Sequence, residues 1–551
     1  MSNKLTLAIA GIAAVLIIIL AVVLIVVVGG SGGKSTASAP QGGTPAAAAK
    51  PTVGPAASGE LRLRGTDPLV LDPALAQDAG SAVYIAEIFS GLVRLDKDLK
   101  IQPDLAQSWD VSPDHLTYTF HLNPKATFQD GRPVTTADVK YSWERALNPN
   151  TGSVTAENFL GDIVGARDVA RGNATEISGL KIIDDLTLSV TIDAPKPYFL
   201  YKLMYPTAFI VSQAQIKANP KRWTQQPIGT GPYKLAKWSL GNQLVLTAYD
   251  NYYLGAPTLK TITYDLSGGS ALVAYQQGDI DVTGVALDDL GTVQDPTNPL
   301  HKEFVQAPSQ SIDYIGFNTN TPPFDDPKVR QALAMTVDRK KIDQVVLKNS
   351  VAVANGILPP GVPGYTPADK TYPYDPQKAK QLLAQSKYAN KMPSITLAES
   401  GAGASVDNAT QAIVQNWKDA LGIDVKIQQA EDATFFSDLD AGRYQMFEIG
   451  WIMDYPDPED VLDILFYSTS KQNSTLYNNP QVDAKLLAAR TEQDPQKRLA
   501  IYQDVEKQIV QDAPWIPLFF GQTNALVKPY VKNYTFPPLI IERFRDVQVN
   551  R

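Results

Sequence analysis

Residues 413–427 run Ile-Val-Gln-Asn-Trp-Lys-Asp-Ala-Leu-Gly-Ile-Asp-Val-Lys-Ile. Ile413, Val414, Trp417 and Leu421 recur at three- and four-residue spacing, so they share one face of an amphipathic helix. Gly422 ends that pattern, and with no Cβ it can take the left-handed conformation that caps a helix. Ile423, Val425 and Ile427 then alternate with polar residues, the period of a half-buried strand. A helix that hands over to a strand across one glycine points to an α/β protein.

The same mixture extends in both directions. Leu116, Tyr118, Phe120 and Leu122 alternate with His115, Thr117, Thr119 and His121, which predicts a strand over 115–122. Leu186, Leu188, Val190 and Ile192 repeat the pattern after a turn at Asp184-Asp185. Asp326-Pro327, Asp375-Pro376 and Asp494-Pro495 each read as a helix start: the carboxylate accepts an unpaired N–H, and proline has none to waste at the first position. Leu499, Tyr502, Val505 and Ile509 follow the last of these as an apolar stripe. Thr136 is expected to cap a helix that buries Val139, Trp143 and Leu147, and Asp457-Pro458-Glu459-Asp460 to open another. Gly229-Thr230-Gly231-Pro232 reads as a turn before a strand.

At roughly 100–200 residues per domain, 551 residues allow several domains. With 57 acidic against 49 basic residues the net charge is -8, which argues against a nucleic-acid partner. The chain has no cysteine, so disulfides, thiolate metal sites, cysteine nucleophiles and a lipid-modified N-terminal cysteine are excluded. Its three histidines are His115, His121 and His301. The first two stand six residues apart on one expected strand, too far at ~3.3 Å per residue to share a metal easily. No metal, cofactor or catalytic set is expected.

Leu5 to Val28 carries no charge and is longer than the roughly 7–15 apolar residues of a cleaved signal peptide. It suffices for the ~20 residues of a membrane-spanning helix, so residues 5–28 are expected to be a retained anchor. Lys4 before it places the bulk of the chain outside the cytoplasm. Residues 29–57, rich in Gly, Ser, Ala, Thr and Pro, read as a flexible tether.

Several segments carry a resemblance: Leu71-Asp72-Pro73; Pro103-Asp104-Leu105-Ala106; Phe128-Gln129-Asp130-Gly131-Arg132; Gly229-Thr230-Gly231-Pro232-Tyr233; Asp326-Pro327-Lys328-Val329-Arg330; and Gly450-Trp451-Ile452-Met453-Asp454-Tyr455-Pro456. Their order and spacing resemble the family 5, peptide/nickel class of solute-binding proteins serving ABC importers. The resemblance implies a two-lobed, periplasmic-binding-protein-like α/β fold of the large type II kind with an extra subdomain. Lobe I would take 58–100, 226–308 and 514–551; its subdomain 101–225; lobe II 309–513.

It implies further that a solute, most simply a peptide, is enclosed between the lobes by a monomer that delivers it to an ABC permease. By the resemblance, Gly450 and Ile452 would pair through their backbones with an extended peptide, and Asp454 would anchor its α-ammonium. Asp78 to Gly80 would face them from lobe I, and Trp451 would stack on the ligand. Glu448 shares parity with Asp454 and stands where some relatives hold a cation, which favours a ligand carrying a basic side chain; pairing with Arg443 or Lys426 at the surface is the alternative. Two other readings stay open: the same receptor with an oligosaccharide, metal chelate or other small solute, and a membrane-anchored hydrolase.

Overall fold

In the computed structural model, which describes residues 58–401, 406–536, 538–539 and 543–551, Asn408–Leu421 is helical and Gly422 caps it at φ 68°. A strand follows at Val425–Ala430. Trp417 and Ile413 of the expected stripe are fully buried. The three Asp-Pro starts form as read: Asp326 accepts from Lys328 N–H, Asp375 from Lys378 N–H, and Asp494 from Gln496 and Lys497 N–H. The expected anchor at 5–28 and tether at 29–57 lie outside the described residues. Among the described residues, no helix is long and apolar enough to cross a membrane.

The described residues form a main sheet of eleven strands. Ten of them are β1 (Glu60–Arg64), β2 (Tyr233–Ser239), β3 (Gln243–Ala248), β4 (Thr261–Asp265), β5 (Val282–Gly284), β6 (Phe304–Phe317), β7 (Ile395–Ser400), β8 (Val425–Ala430), β9 (Met446–Ile452) and β10 (Trp515–Val527). They lie in the order β8-β7-β9-β6-β10-β5-β1-β4-β3-β2, and Ala352–Val353 pairs beside β10. β6 and β10 are the long central pair. Phe304–Pro308 runs against Leu526–Gln522, the register then shifts, and Ile312–Gly316 runs against Phe520–Trp515.

Alternation of side chains gives each half of the sheet its core. Around β1, Leu61, Leu63, Leu244, Leu246 and Ile262 pack against Ile85 of α1 (Ala79–Ile88). Around β9 both faces are covered. Phe447, Met453, Ile312 and Tyr314 pack with Tyr502, Val505 and Ile509 of Pro495–Asp512, and Met446, Ile315, Phe317 and Leu397 pack under Ile413 and Trp417 on the other face.

A separate antiparallel sheet orders Ala106–Val111, Thr117–Leu122, Thr187–Thr191 and Leu180–Asp184. Tyr118, Phe120, Leu122, Leu188 and Val190 bury one of its faces with Val139, Trp143 and Leu147 of the helix Thr136–Leu147. Three local expectations are corrected. His115 stands in the turn before the strand at φ 58°, and so does not share a strand with His121, which bonds Asp110 at 2.9 Å. The helix cap is Thr135 and not Thr136: Thr135 N–H donates to Asp138 at 3.0 Å, while the Thr136 hydroxyl is spent on Asp184 O at 2.7 Å. Asp457 does accept from Glu459 N–H at 2.9 Å, but Pro458 holds the cap position of a short π-helical turn, Glu459–Asp463. The Asp457 carboxylate also clamps Arg498 with two contacts of 2.7 Å.

Trp143 is fully buried and donates its Nε1–H to Ala208 O at 2.9 Å. Trp143→Ala is expected to cost about 3–5 kcal/mol. The check is urea unfolding followed by circular dichroism, with loss of the 101–225 region preceding the rest.

Candidate functional site

β9 pairs with β6 along its whole length, from Met446 to Ile452, but with β7 only at Met446 and Phe447. Just beyond β9, Met453 N–H donates to Gln310 O of β6 at 2.9 Å. In an antiparallel pair the backbone groups of successive residues point to opposite edges. The N–H and C=O of Gly450 and Ile452 therefore point away from β6, to an edge that no strand of the described residues covers. Both residues are exposed. Asp313 Oδ1 lies over Gly450, where a Cβ would stand 2.6 Å from it, so a side chain at 450 would displace that carboxylate.

Carboxylates gather where this edge ends. Asp454 N–H donates to Asp460 Oδ2 at 2.9 Å, and Trp451 Nε1–H reaches the same oxygen at 3.3 Å. The chain folds back through Pro456 and Pro458 to bring the two acids together. Burial holds the Asp454 carboxyl up at about 7. Burial, then the neighbouring Asp454, pushes Asp460 well above the carboxylate range. From the other half of the sheet comes Asp78, the N-cap of α1, which accepts from Ser81 N–H at 2.7 Å through Oδ1. Asp78 Oδ2 and Asp460 Oδ1 are buried without a hydrogen-bond partner among the described residues. Tyr205 marks the convergence: burial, then Asp454, Asp460 and Asp78 in turn, push its hydroxyl well above its ordinary value.

Aromatic rings close one side. Phe159 stacks on Tyr205 with ring centroids 3.7 Å apart and meets Tyr455 edge-on at 6.4 Å. Tyr455 bonds Glu459, which lies 3.9 Å from Lys202. The 101–225 region and the region around 455 are therefore in contact beside the three acids. Buried carboxylates without a cation are costly unless something compensates them, and a ligand ammonium is the simplest compensation.

The structure thus brings together Asp454, Trp451, Gly450, Ile452 and Asp78. Gly80 sits in the first turn of α1 beside Asp78, where a Cβ would lie 3.3 Å from Asp78 Oδ1. Glu448 stands apart, earlier on β9. Arg443 pairs with Asp438 instead of with Glu448, and Lys426 alternates onto the opposite face of β8 from Gln429. Burial, then Asp313, Asp407 and Glu399, hold Glu448 up at about 8. Sequence reasoning missed Asp460, Tyr205 and Phe159. Asp460 follows Asp454 by six residues, and the two intervening prolines were the signal that the chain doubles back. Tyr205 and Phe159 reach the site only through tertiary packing.

The sequence matches the family described as bacterial extracellular solute-binding proteins, family 5 Middle, over residues 100–473. It is 31% identical over 492 residues to the periplasmic oligopeptide-binding protein OppA of Escherichia coli (strain K12), covering 86% of this chain and 89% of that one. It is 29% identical to the dipeptide-binding protein DppE of Bacillus subtilis (strain 168), covering 86% and 88%. The solved structure of the Escherichia coli murein tripeptide binding protein MppA superposes with a TM-score of 0.76 at 30% identity, covering 89% of this chain and 98% of that one. The mixed α/β, two-lobed periplasmic-binding-protein fold is shared over that length.

An Asp454 carboxyl held at about 7 when folded and about 3.9 when unfolded keeps its proton in the native state longer than in the unfolded one. Its contribution to stability is full below about pH 4 and is lost as pH rises to about 7. The thermal midpoint of the ligand-free protein is expected to fall between those values, and to fall less in Asp454→Asn. An equal slope in the two proteins would contradict the assignment.

Proposed function

The chain belongs to the family 5 bacterial extracellular solute-binding proteins, a family of receptors and not of enzymes, and from that premise we propose that it captures a peptide between its two lobes and delivers it to an ABC permease. The observation that carries this reading is the free edge of β9 running into carboxylates that form no ion pair among the described residues, with Asp460 Oδ1 and Asp78 Oδ2 buried and unpartnered. An extended peptide laid along that edge finds the N–H and C=O of Gly450 and Ile452 and adds as a strand. Backbone pairing is indifferent to side-chain identity, so it suits a receptor for many sequences. Asp454, with Asp460 and Asp78 around it, takes the α-ammonium and fixes the register, and Trp451 lies against the first residues.

Closure follows from the central strands. They alone carry the sheet from one half to the other, and their register shift between Pro308 and Ile312 is the place to bend. We set the lobe boundary there and near Gly521 on β10, because Trp515–Phe520 packs with lobe II. Lobe I then comprises 58–100, 226–308 and the chain from Gly521, with 101–225 as its subdomain. The protein acts outside the cytoplasm as a monomer, held to the membrane by residues 5–28. For the anchor, the expectation is that detergent and not salt releases the native protein from its membrane fraction, with residues 5–28 still present.

Calorimetry with short unmodified peptides is expected to show binding that N-terminal acetylation abolishes. Asp454→Ala should lose about 2–5 kcal/mol of binding free energy. Small-angle scattering should show a smaller radius with peptide than without. Native mass spectrometry that found a sugar or a chelate in the purified protein, with no response to peptides, would replace the peptide by that ligand.

A further inference from the structure

Glu448, Asp313 and Glu399 occupy three neighbouring strands. Glu448 on β9 stands opposite Ile315 of β6, and Asp313, two residues earlier on β6, stands opposite Gly450. Ile315, Met446 and Leu397 all belong to the core on one face of the sheet, and alternation puts Asp313, Glu448 and Glu399 on that same face. Asp407, the N-cap of Asn408–Leu421, stands over them: it acts electrostatically on both Asp313 and Glu448, and its N–H donates to Glu399 Oε1 at 2.8 Å.

Three observations show that this group is unfinished. Glu399 is 6% exposed, and its Oε2 is buried with no hydrogen-bond partner among the described residues. Every charged group recorded as acting on Glu448 is another acid: Asp313, Asp407 and Glu399. The basic residues that sequence would offer are committed elsewhere, Arg443 to Asp438 and Lys426 to the opposite face. The acids are spread over three neighbouring strands and a helix N-terminus, a spacing that a cation on a flexible stem can reach into.

The position says where that cation comes from. Glu448 and Asp313 flank Gly450, whose backbone lies on the free edge of β9. A strand laid on that edge sends every second side chain to the Glu448 face. The other side chains go to the face of Phe447, Ile449 and Trp451, which belongs to the opposite core.

We propose that the cleft selects peptides carrying a lysine or arginine a few residues beyond the N-terminus, whose cationic head is received by Glu448 and Asp313 with Glu399 behind them. This rests on the peptide reading above and adds a ligand class to it. Asp454 answers the α-ammonium, which every unmodified peptide has. The second acidic group answers a side chain that only some have, and so sets preference.

The test is calorimetry of the full chain with hexa-alanine and with variants in which lysine, or its uncharged isostere norleucine, stands at each position in turn. Lysine is expected to bind about tenfold tighter than norleucine at one position, with little preference at the positions on either side of it, since those side chains point to the other face. The preference should shrink with added salt. In Glu448→Gln the lysine-to-norleucine ratio at that position should fall to about one. A flat lysine scan with hexa-alanine still binding would overturn the cationic pocket and leave the peptide reading standing. A preference that survives Glu448→Gln undiminished would likewise overturn it. Failure of every peptide to bind, charged or neutral, would remove the peptide reading itself.

Discussion

β6 and β10 lie side by side for nearly their whole length, fourteen residues against thirteen, and the rest of the described chain is arranged around that antiparallel pairing. Each half of the pair is embedded in a different core. Phe304–Pro308 is flanked through β10 by the strands around β1, and Ile312–Phe317 is sandwiched between the helices that cover β9. The register shifts between them, at Pro308 to Ile312, and again between Asp313 and Tyr314. Two rigid cores joined by a bent ribbon can rock without breaking either core. The site lies on the same ribbon, since β9 is the next strand over from β6.

The site depends on what the sheet leaves undone. β7 accompanies β9 for two residues and then departs, so the backbone polar groups of Gly450 and Ile452 are left to water or to a ligand. Asp454, Asp460 and Asp78 likewise form no ion pair among the described residues, and Asp460 Oδ1 and Asp78 Oδ2 are buried without a partner there. Unpaired strand edges and half-buried acids are normally costs, and here they coincide in one place. Phe159 and Tyr205 bring the 101–225 region against one side of the three acids.

The local order of the chain was legible because it rests on short-range chemistry. The Asp-Pro helix starts, the Gly422 cap and the alternation through Tyr118, Phe120 and Leu122 need only neighbours a few residues apart. The same reasoning slipped by a residue at Thr135 and Thr136, where either hydroxyl could cap and only the path of Asp184 decides. Gly450, Ile452, Asp454 and Asp78 were nominated by resemblance and not by physical pattern. Asp460 was visible as an acid but read as part of a helix start. The acids around Glu448 come from positions 313, 399 and 407, so no window of sequence holds them, and pairing with Arg443 or Lys426 looked equally plausible until the faces of the strands were known.

The free edge of β9 also bears on how copies of this protein tolerate one another at high concentration. An uncovered strand edge can template pairing with the same edge of a second molecule, the first step toward aggregation. Here the exposed segment is only a few residues long, and it runs between Glu448 and Asp454. Two copies approaching edge to edge would have to bring these acids, with Asp313 and Asp460 beside them, against their own duplicates. Protonated or charged, these acids would have to be desolvated without a partner in such a pairing, so they make the edge a poor match for an identical neighbour.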